Sequence, residues 1–353
     1  MRIAKNSFPL RFLLMAGGLV TALVCSGAAV RARDVAGDVA YVKTIGFTVA
    51  DLDRETDFFV KVLQFEKVAE FRLVGSEYDR MQGVFNVNMR IVYLQLGDQM
   101  VELISYVAPP TGRPIPVPSF SNDLWFEHMA IVVRDMDAAY KRLQDANIRQ
   151  ISAQPITIPQ SNHGAAGIKA IKFHDPESHA LELIYFPPGK GNPSWQQATN
   201  RLMLGIDHTA MTVGSTEQSV AFYKELLGFD AGAATFNKGI TQEVLDNLFN
   251  DTCVVTPMLL PRAPPHVEFL DYRSPLGGRP MPVDTKSNDL WHWQTTLVSK
   301  DLHALMDRLQ KAGAQFITPE AVIIPQEAQA KLGFKKSVMI RDPNGHALRL
   351  VEE

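Results

Sequence analysis

Apolar positions along the chain follow two periods. Leu302, Leu305, Met306 and Leu309 recur at i, i+3, i+4 and i+7, and Met136, Ala139, Tyr140 and Leu143 repeat that spacing. Both predict a helix with one buried face. Ser215 with Gln218 three residues on forms a capping box that opens another helix over about 217–227. Ahead of each helical segment runs a short β-rich stretch: Ile45–Val49, His128–Val133, His208–Val213 and Gln294–Val298. Further stretches of this kind, Met100–Tyr106, Ala180–Phe186, Val267–Tyr272 and Ala347–Val351, close each section. The order strand, helix, several strands therefore occurs four times, at about 40–107, 124–187, 203–273 and 289–352.

The four sections form a repeat of a repeat. Gly112-Arg113-Pro114-Ile115-Pro116-Val117 matches Gly278-Arg279-Pro280-Met281-Pro282-Val283, and Ser121-Asn122-Asp123-Leu124-Trp125 matches Ser287-Asn288-Asp289-Leu290-Trp291. Asp175-Pro176 and His179-Ala180-Leu181 return as Asp342-Pro343 and His346-Ala347-Leu348. One unit of about 165 residues is thus present twice. This predicts a first domain at 38–187, a linker at 188–202 and a second domain at 203–353, each of two modules. Gly189-Lys190-Gly191 in the linker is no phosphate loop, because it follows a last strand and opens no convincing helix.

Residues 1–32 read as an address. Arg2, Lys5 and Arg11 precede an almost wholly apolar or small run from Phe12 to Val30, and Val30-Arg31-Ala32 supplies a cleavage site. This is the layout of a secretory signal peptide and predicts export to the periplasm, with no stable membrane insertion once it is removed. The whole chain carries 35 bases and 38 acids. Loss of the four bases in 1–32 leaves 31 bases against 38 acids, an acidic surface that excludes a nucleic-acid partner. The two cysteines, Cys25 and Cys253, allow no disulfide scaffold and no zinc-thiolate cluster.

Four βαβββ modules resemble the vicinal oxygen chelate superfamily of glyoxalases, extradiol dioxygenases and bleomycin resistance proteins. The local matches are Ile206-Asp207-His208-Thr209-Ala210-Met211-Thr212-Val213, Phe222-Tyr223 with Leu227-Gly228-Phe229, and the module ends His174-Asp175-Pro176-Glu177-Ser178-His179-Ala180-Leu181-Glu182 and Arg341-Asp342-Pro343-Asn344-Gly345-His346. The resemblance implies an α+β fold in which pairs of modules roll into two cup-shaped, eight-stranded mixed sheets. It also implies a divalent metal ion, with Zn, Ni, Mn and Fe all open, held by the first and last strand of each module.

Carried onto this chain, the first-strand ligand position falls on Thr44, His128, His208 and Gln294, and the last-strand position on Glu102, Glu182, Glu268 and Arg349. Imidazole nitrogen and carboxylate oxygen suit a divalent ion. Arg349 cannot ligate, and a guanidinium about 4 Å away would repel such an ion by several kcal/mol even at an effective dielectric near 20. Two pairings of modules stand open. Sequential pairing leaves two imperfect cups. Pairing second with third unites His128, Glu182, His208 and Glu268, and leaves Thr44, Glu102, Gln294 and Arg349 together, with Arg349 able to neutralise Glu102. Segregation of good ligands from bad favours this second pairing.

Around that site, Trp125 could wall a pocket, and Arg113 or Lys169 could bind an anionic substrate group, although Arg113 and Arg279 could equally hold their loops. His179 and His346 read as turn residues. By this resemblance the chain is a metal-dependent enzyme of lyase or isomerase type acting on a small oxygenated molecule, with Glu182 or Glu268 as the base. A ring-cleaving dioxygenase and a metal-free binding protein are the alternatives. An exported enzyme would not meet the cytosolic glutathione adduct that glyoxalases take, so its substrate should differ.

Overall fold

The modules begin where strand propensity and capping residues put them. The computed structural model describes residues 38–353; the signal segment expected at 1–32 lies outside the described residues. The opening strands are Val39–Thr48, Glu127–Val133, Met203–Thr212 and Trp293–Ser299, and the closing strands are Gln99–Ala108, Ala180–Tyr185, His266–Ser274 and Ala347–Glu352. A helix follows each opening strand, at Leu52–Lys61, Met136–Asp145, Thr216–Ala221 and Leu302–Lys311. Asp51, Asp135, Ser215 and Asp301 cap them, each side chain accepting from the backbone N–H three residues on. The expected apolar face is buried, with Leu302, Leu305, Met306 and Leu309 all in the core, at roughly 1.5–3 kcal/mol for each large side chain. The third helix changes after its six α-helical residues into a π-helix at Phe222–Leu227, which Gly228 ends with φ 85°.

Three further helices, Ser76–Gln82, Ile240–Asp246 and Gln326–Leu332, interrupt modules one, three and four. Seven residues make too few turns for their period to stand out. Module two has a loop here instead.

Modules two and three share one nine-stranded sheet, and modules one and four the other. Eight strands lie on the main path of each, with one more pairing off it. In the first sheet the opening strands Glu127–Val133 and Met203–Thr212 run antiparallel side by side, and each is flanked by its own closing strand in parallel. In the second, Val39–Thr48 and Trp293–Ser299 take the same places. Each sheet therefore takes one module from each half of the repeat. No helix among the described residues is long and apolar enough to cross a membrane.

The repeated loops clasp one another across the halves. Arg113 donates from its backbone N–H to Asp289 Oδ1 (2.8 Å) and from Nη2 to Asp289 Oδ2 (2.7 Å), and lies over the Trp291 ring. Arg279 makes the same contacts with Asp123 (2.9 and 2.6 Å) and lies over Trp125. Gly278 has to be glycine, because a Cβ there would stand 1.7 Å from the Asn122 carbonyl oxygen. The arginines are 42–43% exposed, which screens them, whereas their aspartates are almost fully buried. Arg113→Ala or Arg279→Ala should therefore cost about 1–2 kcal/mol each. Urea unfolding would measure this, and an unchanged midpoint in both variants would refute a stabilising clasp.

Candidate metal centre

The register of the sheet shared by modules two and three puts the four expected ligands on one face. His128 lies opposite Ala210 and Ala130 opposite His208. Glu182 lies beside Ala130, Glu268 beside Ala210 and His266 beside His208. Side chains alternate along a strand, so these positions all point the same way. The small alanines between them leave room for two imidazole rings, whose centroids stand 5.6 Å apart.

Three of the ligands converge closely. His128 Nε2, Glu182 and His208 offer donor atoms all within 4.8 Å of one another. His128 Nε2 is 2.7 Å from Glu182 Oε2, and His208 Nε2 is 3.8 Å from the same oxygen. Neighbouring ligands of one octahedral ion stand about 3 Å apart when its bonds are near 2.1 Å. His128 Nδ1 makes no hydrogen bond among the described residues although the side chain is buried, and its Nε2 has the Glu182 carboxylate beside it. A cation at the convergence point would be shared by that nitrogen and that oxygen. Burial, with Lys172 adding to it, holds the His128 imidazole below its usual range, so the ring is neutral and one of its nitrogens carries a lone pair. Burial opposes ionisation of Glu182, but His128 and His208 outweigh it and hold the carboxyl well down. The donor set fits a divalent ion.

Glu268 stands slightly apart. Its Oε2 is 3.5 Å from His208 Nε2, and its Oε1 accepts from His266 Nε2 at 3.1 Å. Its side chain is 18% exposed against 7% for Glu182. The looser carboxylate is the one better placed to move.

His208 is oriented from behind. Trp195, in the linker, donates from Nε1 to Asp207 Oδ1 (2.8 Å), and Asp207 Oδ2 accepts from His208 Nδ1 (3.1 Å). That bond fixes one ring proton on Nδ1; burial opposes a second, but Glu268, Asp207 and Glu182 together push the imidazole well above its usual range, so a cation would have to displace the Nε2 proton to be held there. Asp207→Asn should weaken metal binding about 10–100-fold and Trp195→Phe by less. Metal competition titration would measure both, and wild-type affinity in Asp207→Asn would rule the chain of bonds out as a device for ligation.

The ligands open on a cavity of about 210 Å³, lined also by Ile158, Ile184, Asn237, Gln242, Val255 and Leu270. The three substrate contacts expected from sequence lie elsewhere. Arg113 is held by Asp289 and Asp284 in the clasp. Trp125 borders a separate pocket of about 90 Å³ with Phe126, Trp291 and Trp293. Lys169 lies over the Tyr185 ring. None of the three lines the metal-side cavity. His179 and His346 are buried in their turns, each with Nδ1 on the Asp four residues before it, Asp175 and Asp342.

Sequence reading gave no role to Asp207, His266, Lys172 or Asp246. The first two had a signal, since Asp207 adjoins His208 and His266 precedes Glu268 by one pleat. Lys172 depends on hairpin register, and Asp246 comes from a helix too short to be anticipated.

The other sheet fills the same positions with a closed network. Arg349 is wholly buried and grips both carboxylate oxygens of Glu102. Arg349 Nε donates to Thr296 Oγ1 (3.1 Å), which bonds Thr44 Oγ1 (2.9 Å), and Gln294 Nε2 donates to Glu102 Oε2 (3.3 Å). A guanidinium stands where a metal would be needed.

Comparison with known proteins agrees with the overall fold. Residues 41–183 and 205–350 match the model of the Glyoxalase/Bleomycin resistance protein/Dioxygenase superfamily. A 2-epi-5-epi-valiolone epimerase from Actinomyces sp. is 34% identical over 175 residues, covering 48% of this chain and 91% of that protein. Glyoxalase I from Zea mays superposes with a TM-score of 0.56 at 14% identity, over 88% of this chain and 92% of its own. A putative dioxygenase from Bacillus subtilis gives 0.51 at 13% identity, over 90% and 86%. At such identities the two structures speak for the fold alone. The match over both halves of the repeat decides the family: this chain belongs to the Glyoxalase/Bleomycin resistance protein/Dioxygenase superfamily.

Proposed function

We propose that the protein is a metal-dependent isomerase, an epimerase in particular, that moves a proton on the carbon beside a carbonyl of a small hydroxylated compound. The observation that carries this reading is the convergence of His128, Glu182 and His208 on one cavity with the looser Glu268 at its side. The similar epimerase supports the class of reaction. A divalent ion held by these side chains would supply Lewis acidity toward two neighbouring substrate oxygens. Glu268 is the base: its carboxylate takes the proton from carbon, and His266 keeps it turned toward the cavity. Glu182, held by two imidazoles, stays in place and is the acid or base of the opposite side. The apolar lining from Ile184, Val255 and Leu270 excludes water.

The test is exchange of carbon-bound hydrogen for deuterium in 2-epi-5-epi-valiolone and simpler hydroxyketones, followed by proton NMR. Exchange that needs the metal and falls 100-fold or more in Glu268→Gln is expected. Metal-loaded protein without exchange in any of them would refute the isomerase.

One observation favours a second reading. His128, His208 and Glu182 are the two-histidine, one-carboxylate set of mononuclear iron oxygenases. Oxygen uptake by the iron-loaded protein on a catechol would establish that activity in place of the first.

A further inference from the structure

The cavity holds a charged group that neither ligation nor proton transfer uses. Lys172 is 3% exposed, lies opposite Glu182 in the adjacent strand and lines the cavity. Its ammonium makes one hydrogen bond among the described residues, to Asp246 Oδ1 at 2.5 Å. Asp246 is held on its other oxygen too, because its Oδ2 accepts from Gln242 Nε2 (2.7 Å) and from the Tyr272 hydroxyl (2.9 Å). An ammonium has three donors. The carboxylate thus takes three donors while the ammonium uses one of its three protons, so the pair is less complete on the side of the lysine.

The internal repeat supplies a control. The position of Lys172 in the other cup is Met339, which faces Arg349 as Lys172 faces Glu182. The position of Asp246 is Gln82, at the end of the corresponding helix, where Ser287 bonds its carbonyl as Ser121 bonds that of Asp246. Among the described residues the side-chain amide of Gln82 has no hydrogen-bond partner, and neither has the hydroxyl of Tyr106, which stands where Tyr272 does. The cup without metal ligands thus lacks the lysine and the aspartate too, although it keeps the tyrosine. The charged pair goes with the metal-binding face and not with the fold.

We propose that Lys172 is a substrate-binding residue, donating to a substrate oxygen beyond the two that the metal face takes. The cavity then selects compounds with at least three oxygens on adjoining carbons, of the polyhydroxylated ketone class. This inference rests on the metal-dependent reading above. Asp246, with Gln242 and Tyr272 behind it, is the positioning residue that fixes the ammonium.

Hydroxyacetone and dihydroxyacetone differ by one oxygen and make the test. Calorimetric titration of the metal-loaded full chain should give dihydroxyacetone binding about tenfold tighter than hydroxyacetone. In Lys172→Met the preference should vanish while metal content does not fall. Lys172→Arg should keep part of the preference. A wild-type preference of twofold or less, which the two equivalent hydroxyls alone would give, overturns the proposal, and so does a preference that survives in Lys172→Met. The wild-type comparison decides the matter even if Lys172→Met fails to fold. Metal content measured on the same samples separates the failures: loaded protein without preference defeats the role of Lys172 alone, whereas protein that takes no metal defeats the metal-dependent reading as well.

Discussion

His128→Ala and His208→Ala should each remove the same metal equivalent. The two residues come from different halves of the repeat, 80 positions apart in the chain, yet their rings are neighbours across one antiparallel strand pair. Either substitution takes away one of two nitrogen donors and leaves Glu182 beside a single imidazole. Loss of an outer-shell partner alone costs a metal site about 10–100-fold, so loss of a ligand should cost at least ~100-fold. Elemental analysis of the purified variants, after dialysis against a weak chelator, would show metal near zero in both. Gln294→Ala, at the matching position of the other sheet, should leave the content unchanged. If each histidine variant lost only part of the metal and the double variant lost the sum, two independent sites would be present and the shared centre would be wrong.

The second large effect is on stability. Arg349→Met should lower it by about 3–5 kcal/mol, because it leaves the Glu102 carboxylate buried with no counter-charge. For a chain of this size that is a fall of roughly 10 °C in Tm. The double variant Arg349→Met with Glu102→Leu should recover most of the loss, since a buried pair replaced whole by apolar side chains is often neutral. Neither should alter metal content. Thermal melting would check the pair of predictions, and an Arg349→Met variant as stable as the wild type would refute the buried pair as a brace.

How much of this was visible in the sequence differs from level to level. The four modules were legible because amphipathic helices and strand-like runs repeat at fixed offsets, and Ser215 caps the helix it was expected to open. The preference for pairing module two with module three came from chemistry: Arg349 spoils any site it joins, so the ligands had to be sorted. Distances could not come from the sequence. Nothing local distinguishes Glu182, tight against His128, from Glu268, standing off beside His266. The misplacement of Arg113 has a similar origin. An arginine in a Gly/Pro loop offers the same pattern whether it meets a substrate or an aspartate 176 residues away. Lys169 and Lys172 sit three apart on one strand, hence on opposite faces, and only the register of the hairpin decides which of them looks inward.

Building each cup from both halves has an evolutionary corollary. A protein equal to one half would hold one module of each cup and would have to complete both by self-association, so every substitution would appear in two places at once. Covalent fusion breaks that bond between copies. One centre is then free to drift, lose its ligands and harden into a salt-bridged brace, while its sibling keeps the reactive chemistry on a scaffold the drifted twin now steadies.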